Sequence, residues 1–131
     1  MESTIASKIV IVGNDPDFCY LMQRYVRQGG YQMIVAGLDG EAPVLVSREQ
    51  PAAVVLEFDL SQAAQRVLGA LSAELTTRAI PVVVCSWRDE QELGLQDGVA
   101  GYLRKPVLYE DFLAALQQAQ VYPAGRGVNR R

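Results

Sequence analysis

The most informative absence in this 131-residue sequence is that of histidine, which does not occur at all. Without histidine the chain lacks the base of Ser-His and Cys-His nucleophilic catalysis, the imidazole ligand of many zinc sites, and the side chain of a phosphohistidine carrier. Cysteine is scarce, with Cys19 and Cys85 as the only two residues of that type. Both stand in apolar patterns, which predicts buried thiols rather than a disulfide framework.

Strong charge of one sign and long apolar runs are also missing. The net charge is only -3, and no strongly basic face predicts nucleic-acid binding. Apolar runs such as "PVVVC" are too short to span a bilayer, and "MESTIASK" has no apolar core of signal-peptide length. With 50% apolar and 21% charged residues, the composition is that of a soluble globular protein. We therefore expect a cytoplasmic protein that binds neither nucleic acid nor membrane.

The sequence does contain five short runs that are rich in Val and Ile. They are "KIVIV" from Lys8, "YQMIVA" from Tyr31, "AAVVL" from Ala52, "IPVVVC" from Ile80, and the weaker "AGYL" from Ala100. Continuous apolar runs of this length are typical of strands that are buried on both faces of a parallel sheet.

Helical patterns separate these runs. Asp15 as N-cap and Pro16 in the first turn predict the start of the first helix, and Gly29 with Gly30 predicts its end. The second helix has Pro43 in its first turn and continues to Arg48. The third runs from about Gln62 to Leu75, the fourth is a short one between Trp87 and Gln96, and the fifth turns Phe112, Leu113 and Leu116 inward. The third is expected to turn these residues inward: Val67, Leu68, Leu71 and Leu75.

Strict alternation of strands and helices predicts an α/β protein with an open parallel sheet covered by helices on both faces. The length suits one domain, which we place at residues 1–122. Residues 123–131 have no periodicity and carry Arg126, Arg130 and Arg131, so we expect a disordered basic tail.

Polar residues follow several of the predicted strands at the point where each strand ends. Because the carboxyl ends of parallel strands meet at one edge of the sheet, a binding site is expected there. The residues that converge on this edge are Gly13, Asn14, Asp15, Glu57, Asp59, Ser86 and Lys105.

Four motifs resemble one known family, the receiver domains of bacterial two-component response regulators, over roughly residues 7 to 120. They are "KIVIVGNDPDF", "PAAVVLEFD", "IPVVVCSW" and, most specifically, "GVAGYLRKP". The resemblance implies a flavodoxin-like (CheY-like) doubly wound sheet of five parallel strands, in the order 2-1-3-4-5, with helices on both faces. It also implies a signal-transduction module that is not an enzyme.

In that family an Asp at a strand end accepts a phosphoryl group, an acidic pair after the first strand holds Mg²⁺, and a Ser or Thr and a Lys bind the phosphoryl oxygens. Lys105 and Pro106 match the family's Lys-Pro, with a cis bond expected between them. Ser86 matches the hydroxyl position, and Tyr102 matches the aromatic residue that responds to phosphorylation.

The acids depart from the family pattern. The acceptor position is occupied by Glu57, and the acidic pair falls on Gly13 and Asn14, which leaves Asp15 as the nearest carboxylate. We expect no metal site, or only weak Mg²⁺ binding through Glu57 or Asp15. The extra methylene of Glu57 misplaces its carboxylate for phosphoryl transfer, a reaction that depends on positioning, so we do not expect phosphorylation there.

The longer side chain of Glu57 extends toward Lys105 and the hydroxyl of Ser86. We predict an ion pair between Glu57 and Lys105 and hypothesise that it holds the site permanently in one conformation. The alternative is that Glu57 is a solvated acid whose pairing contributes little to stability. Asp59 is interpreted as a surface acid and Asp15 as a helix cap.

The leading interpretation is a receiver-like signalling module of a two-component or phosphorelay system that acts by protein–protein interaction. Its partner would be a kinase, another receiver or an effector, and the resemblance leaves open a homodimer through the fourth helix, fifth strand and fifth helix. One alternative is an atypical but active phosphoacceptor that uses Asp59 or Asp15. Another is a small-ligand binding module, which the lack of a glycine-rich phosphate loop disfavours. The sequence leaves the role of Trp87 open.

Overall fold

The computed structural model describes residues 7–59, 61–94 and 99–123. Strands and helices alternate throughout these ranges, as the sequence predicted. The elements are β1 (Lys8–Val12), α1 (Pro16–Gln28), β2 (Gln32–Ala36), α2 (Glu41–Glu49), β3 (Ala53–Glu57), α3 (Gln62–Ala73), β4 (Val82–Ser86), α4 (Glu90–Leu93), β5 (Gly101–Arg104) and α5 (Tyr109–Gln118).

The five strands form one parallel sheet in the order β2-β1-β3-β4-β5. This is the flavodoxin-like (CheY-like) arrangement that the resemblance implied. Register brings the ends of neighbouring strands together, with Glu57 opposite Cys85 and Ser86 opposite Arg104. The carboxyl ends of β1, β3, β4 and β5 therefore share one edge of the sheet.

Alternate residues of the central strands face two separate hydrophobic cores, because successive side chains in a strand point to opposite faces. Ile9, Ile11 and Val55 pack against α1 and α5, while Val10 and Val54 pack against α2 and α3. The first core is filled by these helix residues: Phe18, Met22, Val26, Phe112 and Leu116. The second is filled by Ala42, Val46, Ala64, Val67 and Leu71. Helices thus cover both faces of the sheet.

Side-chain hydrogen bonds at its two ends determine where α1 begins and which segment it contacts. Asp15 is the N-cap, and its side chain accepts a hydrogen bond from the backbone N–H of Asp17, while Pro16 occupies the first turn. At the other end of the helix the hydroxyl of Tyr25 donates to the carbonyl of Val107, 2.8 Å away. This contact ties α1 to the segment that follows β5.

Two of the burial predictions are wrong. The edge strands β2 and β5 are not buried on both faces, because each has a neighbouring strand on one side only; Val35 is exposed. Leu75 lies outside α3 and is 75% exposed. The chain turns after Ala73, and the hydroxyl of the buried Thr77 donates to the carbonyl of Leu71, so Thr77 packs at the end of the helix instead.

Apart from Pro123, the predicted tail of residues 123–131 lies outside the described residues. Among the helices of the described ranges, none is both long enough and apolar enough to cross a membrane.

Candidate functional site

The candidate site lies at the shared strand edge, where the carboxylate of Glu57 is the central group. Its Oε1 accepts hydrogen bonds from two successive backbone N–H groups, those of Asn14 at 2.9 Å and Asp15 at 3.1 Å. Its Oε2 accepts a hydrogen bond from Nζ of Lys105 at 2.6 Å. Both carboxylate oxygens are therefore bonded to groups of the same chain, and the negative charge is balanced by Lys105.

The predicted ion pair between Glu57 and Lys105 is present and is buried, with side-chain exposures of only 9% and 7% respectively. The interpretation of Glu57 as a solvated acid is therefore wrong. Buried ions are tolerated where a partner and hydrogen bonds replace the lost water, and here two amides and one ammonium group do so.

Aromatic rings enclose the ammonium group of Lys105. Its Nζ lies 4.6 Å from the ring centroid of the buried Phe18 and 5.8 Å from that of Trp87, within the range of cation–π attraction. The backbone N–H of Lys105 donates to the carbonyl of Ser86 at 2.7 Å, and the Lys105–Pro106 bond is cis, as expected. Backbone and rings together aim the lysine at Glu57.

Ser86 and Tyr102 both contact the loop between β4 and α4. The buried Ser86 hydroxyl oxygen accepts a hydrogen bond from the backbone N–H of Arg88 at 3.1 Å, and the hydroxyl of Tyr102 donates to the carbonyl of Arg88. Partial burial raises the pKa of Tyr102 above its usual value. Among the hydrogen bonds of the described residues, none joins Ser86 to Glu57.

Arg104 also holds this loop, and the sequence reasoning missed it. Its Nε donates to the carbonyl of Trp87 at 2.6 Å, and its guanidinium forms an ion pair with Asp89. Arg104 stands two residues after Tyr102 on the same strand, so both side chains leave the same face of β5. That spacing is the signal that could have predicted their common target.

The remaining candidates contact the backbone around the site. The side-chain oxygen of Asn14 accepts from the N–H of Leu38, and Asp15 caps α1. Asp59 is exposed and accepts from Ser61, whose hydrogen bonds lower the pKa of the Asp59 carboxyl below its usual value. Gly13 brings no side chain. In the described part of the chain, no group of three His, Cys, Asp or Glu residues could hold a metal ion.

Both cysteines are free. Cys85, in β4, is fully buried, and burial raises its pKa to about 12. Cys19 is partly buried and donates from Sγ to the carbonyl of Gly13 at 3.6 Å, and burial raises its pKa as well. A thiol with a raised pKa is a poor nucleophile, so neither residue has the character of a reactive cysteine.

The chain is similar to known proteins in sequence and in fold. No family model matches the chain. The transcriptional regulatory protein PrrA of Mycobacterium bovis and that of Mycobacterium tuberculosis are each 27% identical to it over 125 residues. The match covers 89% of this chain and 52% of each relative, so the chain spans about half the length of these proteins.

Solved structures share the fold at lower sequence identity. A sensor protein from Polaromonas sp. JS666 has a TM-score of 0.77 at 24% identity, covering 86% of this chain and 94% of that one. The chemotaxis protein CheY4 of Vibrio cholerae has a TM-score of 0.75 at 16% identity, with coverage of 86% and 98%. The receiver domain of a Pseudomonas aeruginosa sensor histidine kinase, solved with Mg²⁺ in its active-site cleft, has a TM-score of 0.71 at 20% identity, with coverage of 87% and 98%. The chain is therefore similar in sequence to the transcriptional regulatory protein PrrA and shares the CheY-like fold of these solved structures.

Proposed function

We propose that this chain is a pseudo-receiver: a receiver-like module of a two-component or phosphorelay system that works by protein contact and without phosphorylation. The observation that carries the proposal is that both carboxylate oxygens of Glu57 accept hydrogen bonds from groups of the same chain. One oxygen is bonded to the amides of Asn14 and Asp15 and the other to Lys105. The site thus contains its own anion and the cation that balances it.

Phosphoryl transfer requires an acceptor oxygen and cationic groups that are free to meet the incoming phosphoryl group. Here the acceptor position carries a carboxylate already bonded to its surroundings. Lys105, which would neutralise the phosphoryl oxygens, is already paired with Glu57 at 2.6 Å. Phosphorylation at Glu57 would disturb a buried, charge-assisted hydrogen bond and would require Lys105 to leave its present partner.

The donor set also does not suit Mg²⁺. This ion binds oxygen ligands in octahedral geometry and takes one or two carboxylates from the protein. The loop after β1 instead presents two N–H groups to Oε1 of Glu57, and their partial positive charges oppose a cation at that place. Asp15 is engaged as the cap of α1. We therefore propose that Mg²⁺ binding is weak or absent.

Protein contact is proposed through the face formed by α4, β5 and α5. Trp87, in the loop before α4, is 62% exposed, and Leu108, just before α5, is 56% exposed. Large aromatic and aliphatic side chains that are exposed in this way are typical anchors of protein interfaces. The partner would be a kinase, another receiver, an effector or a second copy of the chain.

The first prediction concerns phosphorylation. Incubation with Mg²⁺ and a small acyl phosphate is expected to leave the intact mass of the wild-type protein unchanged, because the Glu57 carboxylate and Lys105 are already bonded to each other. Intact-mass spectrometry of the mixture measures this directly. A receiver domain with an ordinary aspartate acceptor, treated in the same tube, shows that the donor is active.

Addition of one phosphoryl group to the wild-type protein would contradict the proposal. The variants Asp59→Asn, Asp15→Asn and Glu57→Ala then identify the acceptor, because the adduct disappears only where the acceptor is removed. Loss in Asp59→Asn or Asp15→Asn would show an active receiver with a relocated acceptor. Loss in Glu57→Ala alone would show that Glu57 itself reacts.

The second prediction concerns the fixed conformation. Glu57→Gln keeps the shape of the side chain but removes the charge that pairs with Lys105, so the lysine loses its counter-ion close to Trp87. Because Trp87 is the only tryptophan of the chain, its fluorescence emission reports on this site without labelling. We expect a shifted emission maximum in Glu57→Gln and none in Glu49→Gln, which removes the counter-ion of Lys8 elsewhere on the surface. Unchanged emission and unchanged partner binding in Glu57→Gln would exclude a conformational role for the ion pair.

A further inference from the structure

The space beside Glu57 exists because residue 13 has no side chain. A Cβ atom built on Gly13 would lie 2.7 Å from Oε1 of Glu57, closer than real Cβ atoms approach such an atom. It would also lie 3.0 Å from Cβ of Glu57 and 3.2 Å from the ring of Phe18. The carboxylate of Glu57 thus occupies the volume where a side chain of residue 13 would begin.

Backbone conformation does not explain the glycine. Among the described glycines only Gly30 and Gly94 have a positive φ, so Gly13 has a conformation that alanine also adopts. Its N–H donates to the carbonyl of Ala36 at 3.0 Å, a bond that any residue except proline can make. The remaining reason for glycine at position 13 is the space that the carboxylate of Glu57 needs.

We infer that Gly13 and Glu57 form a matched pair, in which Gly13 is a positioning residue that lets the Glu57 carboxylate reach the amides of Asn14 and Asp15. This inference rests on the proposed function and deepens it, because it explains how the carboxylate of Glu57 fits into the site. A methyl group at position 13 would push Oε1 away from both N–H groups. A larger side chain at position 13 would displace the carboxylate of Glu57 completely from the N–H groups of Asn14 and Asp15.

The pairing links two differences from the receiver pattern, glycine at position 13 and glutamate at position 57, which are far apart in the sequence. The loss of a side chain at position 13 and the gain of a methylene at position 57 are complementary in space. Substitution at either position alone therefore leaves the site mismatched. A side chain at position 13 is therefore expected to be tolerated better when the side chain at position 57 is shorter.

A double-mutant cycle between Gly13→Ala and Glu57→Asp tests the inference. Aspartate at position 57 is one methylene shorter, so the place of Oε1 is empty in Glu57→Asp. The methyl group of Gly13→Ala contacts Cβ of residue 57 and the ring of Phe18 in both backgrounds. The energy of these two contacts therefore cancels in the cycle. We expect Gly13→Ala to lower the midpoint of thermal unfolding by about 5 °C more in the Glu57 protein than in the Glu57→Asp protein.

Gly69→Ala is the matched control. Gly69 lies in α3, and a Cβ there would meet nothing within 4 Å, so alanine is expected to raise Tm slightly and equally in both backgrounds. Equal effects of Gly13→Ala in the two backgrounds would overturn the inference. If Gly13→Ala unfolds the Glu57 protein but not the Glu57→Asp protein, the inference holds. If Gly13→Ala unfolds both proteins, the missing side chain at residue 13 is needed for a contact other than that with Oε1, and the inference fails.

A second measurement separates positioning from general packing. The amide proton resonances of Asn14 and Asp15 report the hydrogen bonds to Oε1, so Gly13→Ala is expected to shift both upfield in the Glu57 protein, while Gly69→Ala leaves them in place. Unshifted amide resonances in Gly13→Ala would overturn the inference even if stability fell. Neither measurement involves a phosphodonor, so this inference and the proposed function can fail independently.

Discussion

Replacing Lys105 by methionine is expected to lower the free energy of unfolding by about 3 kcal/mol, because it leaves the carboxylate of Glu57 buried without its counter-ion. Methionine retains the apolar length of the lysine stem but lacks the ammonium group, so the variant loses the ion pair together with the cation–π contacts to Phe18 and Trp87. The amides of Asn14 and Asp15 still bond to Oε1, which limits the loss. Urea denaturation followed by circular dichroism measures the difference.

Lys8→Met provides a matched control, since it removes the cation of an ion pair of similar length, 2.8 Å, in which the side chains are 34% and 24% exposed. Water screens that pair, so the expected loss is about 1 kcal/mol or less. Adding Glu57→Gln to Lys105→Met removes the uncompensated charge and is expected to recover part of the stability. A loss in Lys105→Met no larger than that in Lys8→Met would show that burial of the pair has no energetic consequence.

The fold could be predicted from the sequence because each strand and helix carries its own local signal. The apolar runs in β1, β3 and β4 and the "NDP" start of α1 are such signals. The burial of β2 was wrongly predicted because it was inferred from the local apolar run alone, whereas the strand order places β2 at an edge of the sheet. Leu75 was misplaced for a related reason: its spacing fits α3, but the chain turns before that residue.

The site was only partly predictable. The pair of Glu57 and Lys105 follows from charge and from the shared strand edge, and it is present. The bonds from the amides of Asn14 and Asp15 could not be predicted, because every residue except proline has an N–H group and only the path of the loop aims two of them at one oxygen. The role of Gly13 was hidden likewise, since an absent side chain leaves no pattern to detect.

The matched pair leads to the last prediction, a gain of Mg²⁺ binding when both residues change together. Gly13→Asp with Glu57→Asp would bring two carboxylates to the strand edge while relieving the clash that a side chain at position 13 has with Oε1. Two carboxylates near one another repel, and Mg²⁺ accepts one or two carboxylate ligands from a protein. The double variant is thus expected to be destabilised in a chelator and restored by the metal.

Thermal unfolding with and without Mg²⁺ measures this gain, because a ligand that binds only the folded state raises its stability. A dissociation constant of about 1 mM would add about 1.4 kcal/mol at about 10 mM Mg²⁺. The wild-type protein and Glu57→Asp are expected to show no such rise, and Gly13→Asp alone places a carboxylate against Oε1 of Glu57 and is expected to unfold at lower temperature. An equal response of the wild-type protein would mean that the amide-lined site accepts Mg²⁺ after all. A response of the double variant alone would mean that the Gly13–Glu57 pair keeps the metal out.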